Sequence, residues 1–139
     1  MTAGVLAAPA VPAVAPLQLT EPVPGFPDHS DYALVAADGS RLVFWLQAVD
    51  PEGPRFLVVP ATPYFPEYEP VVPGTVRAEL GLADQDGGSL YCLVTVPGGD
   101  IEKATANLRA PLVVNPATGR ARQVVLADGT HPIRRPLRR

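Results

Sequence analysis

At 139 residues the chain is sized for one domain, and folding at that length buries roughly two-thirds of the surface an unfolded chain exposes, enough for a self-supporting core. Charged residues make up 18% and aromatics 6%, and there are 18 prolines, which points to an aliphatic core and argues against long helices. The net charge of −3 splits into +4 from Arg134, Arg135, Arg138 and Arg139 and −7 for everything before them, so the body is acidic, a balance that disfavours phosphate backbones and suits a basic partner.

Residues 1–16 are rich in Ala, Pro and Val, and Ala13-Val14-Ala15 resembles a signal-peptidase site. The segment lacks a Lys/Arg start, however, and Pro9 and Pro12 interrupt any apolar helix, so a disordered extension is expected there rather than a cleaved leader. The expected domain spans 17–137, with a basic end at 138–139, and no transmembrane span is expected. Strand-length apolar runs follow at Tyr32 to Ala36, Leu42 to Val49, Phe56 to Val59, Leu90 to Val96, Pro111 to Val114 and Arg122 to Leu126. Gly, Pro, Asn or Asp bound each of them.

Asp38-Gly39 predicts a tight hairpin because both residues tolerate positive φ, and Asn115-Pro116-Ala117-Thr118-Gly119 predicts a longer one. Leu42-Val43-Phe44-Trp45-Leu46 is almost continuously apolar, which implies burial on both faces or a partner over one of them. Trp45 and Gln47 share a strand face by alternation, and Trp45 is expected in the core. One short helix is predicted over Thr75 to Leu82, with Thr75 as cap, Glu79 supplying first-turn charge and Gly81 in the last turn. No repeat of fixed period is visible. Antiparallel strands at this spacing favour a small barrel or sandwich, mostly β, in a single domain.

The residues offer little chemistry. The histidines are His29 and His131, both beside turn residues; Asp28-His29-Ser30-Asp31 holds acid, base and hydroxyl together, but sequence neighbours on a turn rarely converge on one reacting atom. Cys92, alone in an apolar run, behaves as a small hydrophobe and has no disulfide partner within the chain, which suits a reducing cytoplasm. One Cys and two distant His do not make a zinc site. Asp84-Gln85-Asp86-Gly87 opens like a calcium loop but continues without the third ligand or the closing glutamate. Gly87-Gly88 and Gly98-Gly99 lack phosphate-loop spacing and read as turns. No catalytic residue, metal site or cofactor is therefore expected. Four terminal arginines without interleaved aromatics make a weak anchor for RNA or membrane and read as a frayed terminus.

What remains is a recognition surface. Tyr64, Phe65 and Tyr68 lie among Pro63, Pro66 and Pro70, and rings on a loop already stiffened by proline lose little entropy on association. With Glu67 and Glu69, these residues form the expected partner-binding set, while Phe65 is as well suited to plugging a barrel end and Tyr68 less so. Asn107 is expected to hold the Gly98-Gly99 loop through backbone hydrogen bonds, and Thr105 and Asn115 to shape the frame with it.

Six motifs, in order, carry a family resemblance. They are Pro24-Gly25-Phe26, Phe44-Trp45-Leu46-Gln47-Ala48-Val49-Asp50, Tyr64-Phe65-Pro66-Glu67-Tyr68-Glu69-Pro70, the run from Val94 to Pro116, Gln123-Val124-Val125-Leu126, and Pro132-Ile133-Arg134-Arg135-Pro136-Leu137. This set resembles the FliW flagellar assembly factors over roughly Leu17 to Leu137. Departures are the Ala/Pro extension, the terminal Arg138-Arg139, and Val58-Val59-Pro60-Ala61 where the family has a Val-Asn-Pro step. The resemblance implies a small cytoplasmic β-barrel-like factor, monomeric when free, without enzymatic activity. It implies binding to flagellin and, alternatively, to the RNA-binding regulator CsrA. Binding away from the RNA groove of CsrA would relieve repression of flagellin translation allosterically. The competing reading from the residues alone is a small β-barrel that binds RNA directly through its basic tail and exposed aromatics.

Overall fold

The computed structural model describes residues 14–82, 88–127 and 129–137. Nine strands follow in chain order: β1 Val14–Leu19, β2 Asp31–Ala36, β3 Phe44–Ala48, β4 Arg55–Pro60, β5 Ser89–Thr95, β6 Thr105–Ala106, β7 Leu112–Val114, β8 Arg120–Gln123 and β9 Arg135–Pro136. Two short helices, α1 Ala61–Tyr64 and α2 Gly74–Glu79, lie between β4 and β5. The strands order as β4-β3-β2-β1-β8-β7-β5, and β5 pairs back onto β4, so seven strands close into a barrel. β6 and β9 extend from β5 outside that ring. Closure removes the free strand edges that an open sheet of this size would expose.

Alternation explains the wall. Along β3, Phe44, Leu46 and Ala48 are buried while Trp45 and Gln47 face outward. The inward set, with Leu17, Leu34, Val58, Tyr91 and Leu112, fills the barrel, and Phe44 meets Tyr91 edge to face at 6.0 Å. Leu112 and Val114 of β7 point inward, whereas Val113 between them joins a different cluster outside. The β7–β8 connection turns on Asn115 to Gly119, as the sequence indicates. Gly119 sits at φ 81°, and a Cβ there would lie 2.7 Å from the Pro16 carbonyl oxygen, so no other residue fits beside β1.

Several expectations are corrected. β1 begins at Val14, inside the segment assigned to the extension; residues 1–13 lie outside the described residues, as do Asp84 to Gly87 and the 138–139 end. Asp38-Gly39 is not a two-residue hairpin: the connection runs from Ala37, whose N–H donates to the Val43 carbonyl, and the positive φ falls on Arg41. Asp38 instead accepts from the Ser40 N–H and hydroxyl, a local side-chain turn. α2 starts one residue before Thr75, without a side-chain cap. Glu79 ends the helix rather than opening it, and Gly81 lies just beyond the last turn. Trp45 is on the outer wall, half-buried, with the Arg55 guanidinium 4.2 Å above its ring. The C-terminal segment is not frayed through Leu137, since β9 pairs with β6 and the Leu137 N–H donates to the Ala104 carbonyl.

Candidate functional site

Two outer cores are laid onto the barrel by the chain between β4 and β5. The residues after Pro60 turn into α1, which the Pro60-Ala61 step permits because Pro can precede a helix and Ala61 favours one. The following loop brings Phe65 down onto Val59, Cys92, Ala106 and Leu108, where it is 2% exposed. α2 then covers β7, packing Val76 and Leu80 against Val113, Val124 and Leu126.

The C-terminal segment braces the same loop. Arg109 donates through Nε to the His131 carbonyl at 3.0 Å and through Nη2 to the Gly129 carbonyl at 2.9 Å. His131 stacks edge-on against Tyr68 at 5.2 Å. Arg135 lies 5.1 Å above the Phe65 ring and 3.9 Å from Glu67. The Tyr68 hydroxyl donates to the Leu108 carbonyl, and burial, with the nearby Cys92, pushes its pKa up. The Tyr64 hydroxyl donates to the Leu42 carbonyl at 2.9 Å.

The five residues of the expected partner-binding set are thus contiguous, but their side chains divide. Phe65 is buried, not in a barrel end as one of its two readings had it but in the outer core against the wall. Tyr68 is half-buried and tethered, and Tyr64 is partly buried; neither ring stands free. Glu67 and Glu69 are exposed. The acidic pair projects from a scaffold held by aromatic packing, four backbone-directed hydrogen bonds and a cation over a ring.

The frame residues make directed bonds. Asn107 Oδ1 accepts from the N–H groups of Arg109 and Ala110, so it shapes the turn into β7 rather than the Gly98-Gly99 loop. Asp100 closes that loop by accepting from the Glu102 N–H at 3.0 Å. Asn115, buried at 6%, donates Nδ2 to the Leu80 carbonyl at 2.8 Å and accepts from the Ala117 N–H. It joins the end of α2 to the β7–β8 turn. Thr105 lies in β6, paired with Thr95 and Pro136.

A second latch was not foreseen. Arg122 on β8 reaches Glu21 at 3.0 Å and Glu79 at 3.1 Å, and the Thr20 hydroxyl donates to Glu79. The Thr20 hydrogen bond first, then Arg122, holds the Glu79 carboxyl below its usual range. Charge spacing gives no hint of this network, because its members are brought together only by barrel closure.

The histidines sit apart in function. His29 lines a surface recess with Asp28, Ser30, Asp31, Val49 and Asp50. Its Nδ1 is 4.0 Å from Asp50, beyond hydrogen-bond length, and among the described residues no hydroxyl or thiol is bonded to it. Gly53 passes so close that a Cβ would stand 3.0 Å from the imidazole. Cys92 is buried and unpaired, and burial lifts its thiol to about 12, which leaves almost no thiolate for chemistry near neutral pH. Among the described residues no group of three or more His, Cys, Asp or Glu is placed to hold a metal ion. No helix among them is long and apolar enough to cross a membrane.

Comparison with known proteins agrees with this architecture. A family model described as FliW protein matches residues 7–137. The flagellar assembly factor FliW of Symbiobacterium thermophilum is 39% identical over 115 residues, covering 81% of this chain and 82% of its own. Its counterpart in Thermotoga neapolitana is 32% identical over 114 residues, covering 82% of this chain and 76% of its own. A crystal structure of the flagellar assembly factor FliW superposes with a TM-score of 0.79 at 24% identity, covering 88% of this chain and 84% of that one; at that identity it speaks for the fold. By sequence over nearly its whole length, and by a barrel of the same shape, the chain belongs to the FliW family of flagellar assembly factors.

Proposed function

We propose that this chain is a non-catalytic, cytoplasmic two-partner binding module that engages flagellin and, alternatively, the translational regulator CsrA. On CsrA it acts away from the RNA groove, relieving repression of flagellin translation allosterically as flagellin is exported. The observation that carries the reading is the family match over 7–137. In support, the loop bearing Glu67 and Glu69 is held in place by Tyr64, Phe65 and Tyr68 before any partner arrives. A pre-organised acidic surface suits a basic RNA-binding protein, speeds encounter and weakens with salt.

The test is co-purification of the tagged chain from its host, with bound chains identified by mass, followed by titration of purified flagellin and CsrA. Recovery and saturable binding of either supports the proposal. Binding of neither overturns it, and RNA capture with a steep salt slope favours the RNA-binding reading instead.

A further inference from the structure

The outer wall of the barrel has three sectors, and two of them are roofed. The outward residues of β4 and β5, Val59 and Cys92, lie under the 61–70 segment, and Val113 of β7 lies under α2. The third sector, over β1, β2 and β3 and reaching the start of β4, has no element across it among the described residues. Gln18, Asp31, Gln47 and Arg55 make part of this face polar, but one row across the strands is apolar and in register. Val14 opposes Val35, Val35 opposes Trp45, and Trp45 opposes Leu57, and directly opposed residues share a sheet face. Val14 is 60% exposed, and Val49, which continues the outward alternation of β3, is 64% exposed. A row of this kind on a surface is a recurrent mark of a docking site.

Charge identifies the occupant. Leaving aside Glu21, which pairs with Arg122, the chain between Val14 and Leu57 carries the carboxylates of Asp28, Asp31, Asp38, Asp50 and Glu52 against the guanidiniums of Arg41 and Arg55. Beyond Leu57 the sequence is nearly balanced, with nine bases and eight acids. Asp31 is on the outward face of β2, Asp50 lies in the loop after β3 at the same end, and Asp38 lies in the loop at the other end. The apolar row therefore runs between acidic flanks, and Arg55 already holds a cation over Trp45, showing that the ring face accepts one.

We infer that this open sector is a second docking face, separate from the Tyr64 to Glu69 loop, for an amphipathic polypeptide segment whose apolar stripe covers Val35, Trp45 and Leu57 and whose Lys or Arg residues meet the acidic flanks. The inference does not depend on which proteins the aromatic loop engages.

Trp45 is the only tryptophan in the chain, so its emission reports on this face alone. The probe is a synthetic 18-residue amphipathic helix of Leu and Lys, with a Leu and Glu version as charge control. Titrated into the full chain, the Lys peptide shifts Trp45 emission to the blue, shields it from acrylamide, and binds at least tenfold more tightly than the Glu peptide. Val35→Lys and the more exposed Val49→Lys each weaken it at least fivefold, with circular dichroism verifying the fold. Equal binding of both peptides, binding that leaves Trp45 quenching unchanged, or indifference to both substitutions overturns the inference. It is equally overturned if Trp45 is already shielded in the free chain, by residues 1–13 at all concentrations or by a second copy as concentration rises. Loss of flagellin or CsrA binding in loop variants leaves these outcomes untouched, so the two readings fail separately.

Discussion

The barrel wall beneath the aromatic loop and the wall over β1 to β3 use the same residue types in the same alternation, yet they end in different environments. Val59, Cys92 and Ala106 are completely buried because a proline-stiffened loop and the C-terminal segment cross them. Trp45 and Val35 are only half-covered, because nothing among the described residues returns over β2 and β3. Alternation decides which side of a strand a residue faces. Whether that side is then roofed depends on where a distant segment lands.

The sharpest way to break this contrast is truncation of one large ring in each sector. Phe65→Ala empties a closed site and should destabilise by about 3 to 5 kcal/mol in chemical denaturation. Trp45→Ala should cost roughly 1 to 2 kcal/mol, because a half-exposed ring under Arg55 loses less buried area. Equal losses would mean that the open sector is as closed as the roofed one.

Next in size is Asn115→Ala. It strands the Leu80 carbonyl and the Ala117 N–H together, a loss of about 1 to 3 kcal/mol, and should loosen α2 over β7 as read by faster amide exchange in 76–80.

Glu79→Gln separates the Arg122 latch from simple packing through pH. The wild-type carboxyl titrates below its ordinary value when folded, so its stabilisation is present above the unfolded glutamate pKa of about 4.3 and is lost as pH falls through the lower folded value. The Glu79 side chain is 36% exposed, so the wild-type advantage near neutral pH should stay within about 1 kcal/mol. That gap should close on acidification in parallel urea titrations; a constant gap would assign the effect to packing.

The smallest expected change is Tyr32→Phe. The Tyr32 hydroxyl is buried in the barrel without a partner among the described residues, so its removal should leave the melting temperature unchanged or raise it slightly.

Much of the barrel was legible from local pattern. Five of the nine strands fall on apolar runs bounded by turn residues, β8 shares only Arg122 and Gln123 with its run, and α2 overlaps the one helix that was expected. β1 was hidden by its composition, since Val14-Ala15-Pro16 reads as part of an Ala/Pro tail until Val35 and Ala33 pair with it. β6 and β9 are two residues each and exist only through each other and β5. α1 carries no cap and no apolar period. In the Tyr64 to Pro70 loop, the motif located the segment, but the fates of its rings were set by distant groups. Leu108 captures the Tyr68 hydroxyl and Arg135 covers Phe65, contacts that no window of sequence contains. Trp45 was misplaced for the same reason, its strand being apolar on both faces while only one face is closed.

The most direct test of the account is a titration of purified flagellin and CsrA into the wild-type chain and into a Glu67→Lys, Glu69→Lys double variant, with thermal unfolding measured on both. The account predicts a melting temperature lowered by at most a few degrees, because both carboxylates are exposed and only Glu67 touches the bracing segment, through Arg135 at 3.9 Å, and at least a tenfold loss of affinity for one partner. Undiminished binding of both partners by the folded variant would contradict it.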